Sequence, residues 1–187
     1  MNKYLLIFFL SMSSIAGFSQ KTSVEKSIFG VQTGFLGIWV HNESKLNDSF
    51  VLRTELGLDG GIWGGSYYER TGFLLTPVVT LEPRWYYNLD RRQEKARRID
   101  GNSGNFLSIK TSYNPSWFTI SNYDNVVVLD GISIIPTWGI RRNIGKYINY
   151  EAGIGMGYGY VFKNRNYSLN GSGGLALNLH LRIGFKL

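Results

Sequence analysis

The chain has 187 residues, a formal net charge of +7, 15% aromatics, 23 glycines, 18% charged residues and no cysteine. That length suits one domain, and an aromatic, glycine-rich, charge-poor mixture favours strands over helices. A disulfide framework, a thiolate metal site and a Cys nucleophile are excluded, and the basic residues are scattered with no nucleic-acid-binding module, so no nucleic acid is expected as a partner.

The chain opens MNKYLLIFFLSMSSIAGFSQ. Lys3 supplies a positive start, Tyr4 to Ile15 an apolar run, and Gly17-Phe18-Ser19 a small-x-small cleavage site. This is the pattern of a secretory signal peptide, and the run is shorter than the ~20 apolar residues of a spanning helix. The expected organisation is a signal peptide over 1–19 and one domain over 20–187.

Beyond it the chain alternates in twos, the period of a strand. SIFGVQTGFLGIWV is apolar on both faces and reads as one strand, followed by HNESKLNDS as a loop containing His41. FVLRTELGLDGGIW sets Phe50, Leu52, Thr54, Leu56, Leu58 and Ile62 against Arg53, Glu55 and Asp59. LLTPVVTLEPRWYYN sets Leu75, Val79, Leu81, Trp85 and Tyr87 against Thr76, Thr80, Glu82 and Arg84. After the basic segment NLDRRQEKARRIDGNSG, NFLSIKTSY sets Leu107, Ile109 and Tyr113 against Ser108, Lys110 and Ser112. ISIIPTWGIRR sets Ile132, Ile134, Trp138 and Ile140 against Ser133, Thr137 and Arg141. INYEAGIGMGYGYVF sets Ile148, Tyr150, Ile154, Met156, Tyr158, Tyr160 and Phe162 against Asn149, Glu151 and four glycines. LALNLHLRIGFKL sets Leu175, Leu177, Leu179, Leu181, Ile183, Phe185 and Leu187 against Ala176, Asn178, His180, Arg182, Gly184 and Lys186.

Seven strands are visible, joined by Gly-, Asn-, Asp- and Ser-rich turns. Bacterial barrels carry an even number, so an eighth is expected. WFTISNYDNVVVLD, with its β-prone Val126 to Leu129, is the candidate for it. Pro77, Pro83 and Pro136 fall inside strand patterns, where bulges are expected.

The polar faces carry both signs of charge among small residues, as suits a narrow lumen. The apolar faces carry Trp85, Tyr87, Trp138, Tyr150, Tyr158 and Tyr160 near segment ends, as suits the girdles of a bilayer interface. Lipid-facing strands satisfy their backbone only by closing into a barrel, with the last strand closing against the first. The C-terminal alternation through Phe185 to Leu187 resembles the assembly signal of outer-membrane barrels. TLEPRWYYNLDRR and GIRRNIGKYINYEAGIGMGYGY resemble segments of small outer-membrane β-barrel proteins of the Bacteroidota type. The resemblance covers nearly the whole mature chain, with Leu187 standing where such barrels usually end in an aromatic. It implies a location in the outer membrane of a Gram-negative cell envelope and no settled biochemical activity.

The expected fold is therefore an all-β, up-and-down antiparallel transmembrane β-barrel of eight strands. Its lumen should be plugged by a charge network of Arg53, Glu55, Asp59, Glu82, Arg84, Lys110, Arg141, Glu151, His180 and Arg182, because a carboxylate in a narrow lumen is costly unless paired. A structural or surface-interaction role follows for a monomer that meets outer-membrane lipid and the barrel assembly machinery. If residues 88–104 face outward, their arginines suit lipopolysaccharide phosphates; as a turn they are a solvated charge run. No catalytic, metal or cofactor site is expected. No serine motif accompanies His180, neither histidine has a second ligand at metal spacing, and the glycines of GIGMGYG recur in twos with no helix after them. The alternatives are a narrow pore or transport barrel and a soluble periplasmic lipocalin-like barrel holding an apolar ligand.

Overall fold

A computed structural model describes residues 22–124, 126–163 and 170–187; the predicted signal peptide lies outside them. Among the described residues nine strands are formed: β1 (Ser27–Gly34), β2 (Gly37–Lys45), β3 (Phe50–Trp63), β4 (Gly72–Tyr86), β5 (Asn105–Asn114), β6 (Ile120–Ser121), β7 (Gly131–Ile144), β8 (Ile148–Val161) and β9 (Ser172–Lys186). A short helix α1 (Leu89–Glu94) and a 3-10 turn (Asp100–Asn102) lie between β4 and β5. All strands but β6 make a closed antiparallel ring, each paired with the next in the chain. β9 closes it on β1 through five residue pairs, Gly30 to Gly34 against Lys186 to Arg182. The protein is an all-β, up-and-down antiparallel barrel of eight strands, an architecture whose interior is just wide enough for side chains to fill.

The eighth strand is not where the sequence placed it. The described residues of 117–130 contribute only β6, which pairs with Leu74 and Leu75 at one edge of β4 and does not cross the barrel. The extra crossing comes from SIFGVQTGFLGIWV, which folds back on itself so that Ser27 to Gly34 run against Ser44 to Gly37. Phe35 and Leu36 make the turn, and Gly37 adopts φ 144°, a value that side chains rarely tolerate. Phe35 and Leu36 are not usual turn residues, and only the flanking Gly34 and Gly37 mark the reversal. HNESK is correspondingly the second half of strand β2, and His41 is buried on its inner face.

Alternation decides which side faces in. On β9, Leu175, Leu177, Leu179, Leu181, Ile183 and Phe185 are exposed while Asn178 and Arg182 are buried. The polar face of the sequence is thus the inside of the barrel. At Pro83 the β4–β5 ladder skips from Leu81↔Thr111 to Arg84↔Ser108. At Pro136 the β7–β8 ladder skips from Ile134↔Tyr158 to Thr137↔Gly155. The register is the same on both sides of each gap, so rungs are lost at these prolines without the inserted residue of a bulge. Next to the second gap, a Cβ on Gly157 would lie 2.1 Å from the Ile134 carbonyl oxygen and one on Gly155 2.4 Å from that of Pro136. Glycine there lets β8 close up on the β7 backbone.

The terminus-bearing end, where the described residues start at 22 and finish at 187, is sealed. Val51, Tyr86 and Phe106 point inward at the strand ends and form a buried apolar cluster with Val24 and Leu89. Val24 is brought in by the residues preceding β1, whose Glu25 N–H donates to Asn102 Oδ1 at 2.8 Å. Residues 87–104 therefore lie at the terminus-bearing end. Because the natural chain has no cysteine, ring closure is directly testable. The pair Val31→Cys with Phe185→Cys, partners on the outer face, should oxidise to an intramolecular bridge, since paired antiparallel residues lie within disulfide reach. Bridging only between molecules would contradict the closure.

Candidate functional site

The interior chemistry follows from register. Glu43, Arg53 and Glu82 are cross-strand partners on β2, β3 and β4. Arg141, Glu151 and Arg182 are cross-strand partners on β7, β8 and β9. An acid–base–acid row thus faces a base–acid–base row, and Arg84 and Glu55 interleave between them. Arg141 Nη1 donates to Glu43 Oε1 at 2.9 Å, and Arg84 Nη1 to the same oxygen at 3.1 Å. Arg84 grips Glu151 with both terminal nitrogens, at 2.9 and 2.7 Å, and reaches Glu82 at 2.8 Å. Arg53 and Arg182 each donate to Glu55 Oε2 at 2.7 Å.

These four carboxylates and four guanidinium groups are all at most 3% exposed, and their formal charges cancel. Cancellation is what makes burial tolerable, because an unpaired buried ion costs several kcal/mol. Neutral groups complete the network. Ser108 donates to Glu82 at 2.6 Å, Asn102 to Glu43 at 2.9 Å, and the Arg53 Nη2 group to Gln32 Oε1 at 2.6 Å. The Arg84 guanidinium sits 4.2 Å from the Phe106 ring centroid and that of Arg182 3.8 Å from Trp39, where the ring faces attract cations.

Of the ten residues singled out from the sequence, Arg53, Glu55, Glu82, Arg84, Arg141, Glu151 and Arg182 meet in this network. His180 joins its edge, with Nε2 3.4 Å from Glu151 Oε1 and Nδ1 3.4 Å from Asn178 Oδ1. Asp59 stands apart, accepting from Trp39 Nε1 at 2.7 Å. It lines a concavity of about 300 Å³ with Lys110, His180 and Arg182, on the side away from the apolar seal. The sequence reading missed Glu43, which meets Arg53, Arg84 and Arg141, together with His41, Gln32, Tyr86 and Asn102. A signal for two of them existed: Trp39, His41 and Glu43 recur in twos, but the loop-like composition of HNESK hid the period.

The arrangement is suited to filling space and fixing strands. Among the described residues no group of three or more His, Asp or Glu is placed to hold a metal ion. Removing one partner should expose the cost. Glu151→Ala leaves Arg84 and Arg141 short of a counter-charge, and an equilibrium urea titration should show a loss of about 3–5 kcal/mol. The exposed control Glu94→Ala should stay within about 0.5 kcal/mol of the parent. Equal midpoints for the two variants would mean that the network does not hold the barrel together.

No protein-family model, curated protein or solved structure matches the chain.

Proposed function

We propose that the protein is an integral outer-membrane β-barrel of a Gram-negative cell envelope, with a plugged interior and a structural or surface-interaction role. One observation carries this reading: every strand of the ring turns large apolar side chains outward. Examples are Phe29, Val40, Leu56, Leu81, Ile109, Ile134, Ile154 and Leu179, one from each strand and each more than 40% exposed. Soluble monomers rarely expose contiguous apolar surface beyond a few hundred Å², and here the apolar surface encircles the molecule while the ions are inside.

The dimensions agree. Leu175 to Phe185 spans roughly 33 Å along the strand, or about 23 Å along the axis at a tilt of ~45°. The apolar band of outer-membrane barrels is about 25 Å tall. Aromatic residues cluster at both rims. At the terminus-bearing end Phe50 stacks on Trp85 at 5.9 Å, Trp85 meets Tyr87 at 6.0 Å, and Trp138 Nε1 donates to the Tyr87 hydroxyl at 2.9 Å. At the other end Tyr160 meets Phe162 at 5.6 Å. With the termini in the periplasm, as in barrels of this kind, the described residues 64–71, 115–124, 126–130, 162–163 and 170–171 face outward and offer the interaction surface.

The alternatives are less well supported. A pore needs a continuous water path, whereas the charged rows and the apolar seal fill the interior. A lipocalin-like barrel needs an apolar interior and a polar surface, the reverse of this arrangement. Two measurements test the reading. The outer-membrane fraction should contain a band whose gel mobility changes on boiling, as for closed barrels that resist cold detergent; recovery in the soluble periplasmic fraction instead would refute it. The purified barrel should give no steady single-channel conductance in planar bilayers, and a stable open level would replace the plug with the pore.

A further inference from the structure

The basic segment 88–104 has a second feature. The buried Leu89 of α1 pins the helix to the apolar seal, and its basic residues stand beside the outer wall. Arg91, Arg92, Lys95 and Arg97 surround a concavity of about 370 Å³ whose wall includes Arg142 of β7 and Tyr87 at the end of β4. Arg142 lies on the same face of β7 as Ile132, Ile134 and Trp138, the apolar outer face, two residues beyond Ile140. Tyr87 is the aromatic that receives the Trp138 hydrogen bond. The concavity thus opens just past the aromatic rim of the greasy wall.

Its charges are unlike those of the interior. No carboxylate lines it. Arg142 is held in place by donating to Gly104 O and Asn105 Oδ1, both at 2.6 Å. Arg92 is held by donating to Arg98 O at 2.8 Å. These anchors are neutral oxygens, so the positive charge stays uncompensated. Partial burial and the Arg97 guanidinium lower the pKa of Arg92, as expected where cations crowd without anions. Arg98, by contrast, points away and pairs with Asp100, whose carboxyl it holds below the usual range.

We propose that this concavity binds the phosphate of an anionic phospholipid headgroup in the leaflet at the terminus-bearing end. The inference rests on the outer-membrane reading, which sets Tyr87 and Trp138 at the depth of the headgroups. Guanidinium groups match phosphate oxygens with two parallel donors. A lipid, more than a free ion, suits a site that is continuous with the apolar wall on one side and cationic on the other, because the acyl chains lie along the strands while the phosphate meets the arginines.

The test uses the mature barrel folded in detergent micelles, with phosphatidylglycerol or phosphatidylcholine titrated in and lipid retention read by native mass spectrometry. Wild type should retain phosphatidylglycerol at least about tenfold better, since each basic residue at a lipid surface is worth about 1 kcal/mol. The triple variant Arg91→Gln/Lys95→Gln/Arg97→Gln removes exposed side chains that anchor nothing in the fold, and it should lose that preference while keeping its heat-dependent gel shift. A wild type without preference, or a variant that keeps it, overturns the site while the barrel stands. Displacement of phosphatidylglycerol by inorganic phosphate as readily as by more lipid would make this a free-anion site and overturn the lipid assignment. Absence of a gel shift in wild type would overturn the membrane reading and this inference with it.

Discussion

Everything in this molecule depends on four carboxylates and four guanidinium groups finding one another inside a narrow tube. Ions of this kind are not taken out of water for their own sake, since apolar substitutes of equal volume are often as stable or more so. What they provide is position. Glu43 is reached by Arg53, Arg84 and Arg141, which ties β2, β3, β4 and β7 to one point. Glu151 is likewise reached by Arg53, Arg84 and Arg141, which ties in β8, and Arg182 on Glu55 adds β9. A strand that slipped by one residue would turn its charges outward and its leucines inward.

The outside follows from the inside. A barrel core is normally built from the apolar faces of its strands, and here those faces are turned away from the axis. The hydrophobic effect therefore cannot hold the strands around the lumen. Backbone ladders and the ion network must do so, with the apolar faces turned outward. Among the described residues the conventional apolar core is small and sits at a single end, where Val24, Val51, Tyr86, Leu89 and Phe106 meet. It closes the tube and anchors α1, so the same cluster that shuts the interior also holds the basic concavity against the outer wall.

How much of this was legible depended on how cleanly each segment alternated. From Phe50 to Leu187 the two-residue period marked out six ring strands, because ions and leucines cannot exchange faces without large cost. Arg53, Glu82, Arg84, Arg141 and Glu151 could be assigned to one interior for that reason. The failures lie where period and composition disagree. The Phe35-Leu36 turn is as apolar as its flanks, so one hairpin looked like one strand. His41 to Lys45 are polar on both faces, so β2 looked like a loop, and Glu43 was lost with it. The proline gaps were legible as trouble but not in kind, since nothing local distinguishes an omitted rung from an inserted residue. The packing of Val24 and Leu89 into the tube end is long-range and leaves no periodic trace.

The five-pair closure between β1 and β9 is the shortest ladder of the ring, against fourteen pairs between β3 and β4. It also joins the most distant parts of the chain, residue 30 to residue 186. The other ring ladders join chain neighbours and can zip from their turns, with little loop entropy to overcome. The seam has no such local start. It defines the slow coordinate of assembly, because the contacts of highest sequence separation are made with the fewest backbone bonds to reward them. It is equally where the finished cylinder opens first, so reversible breathing should begin along the line between Gly34 and Arg182.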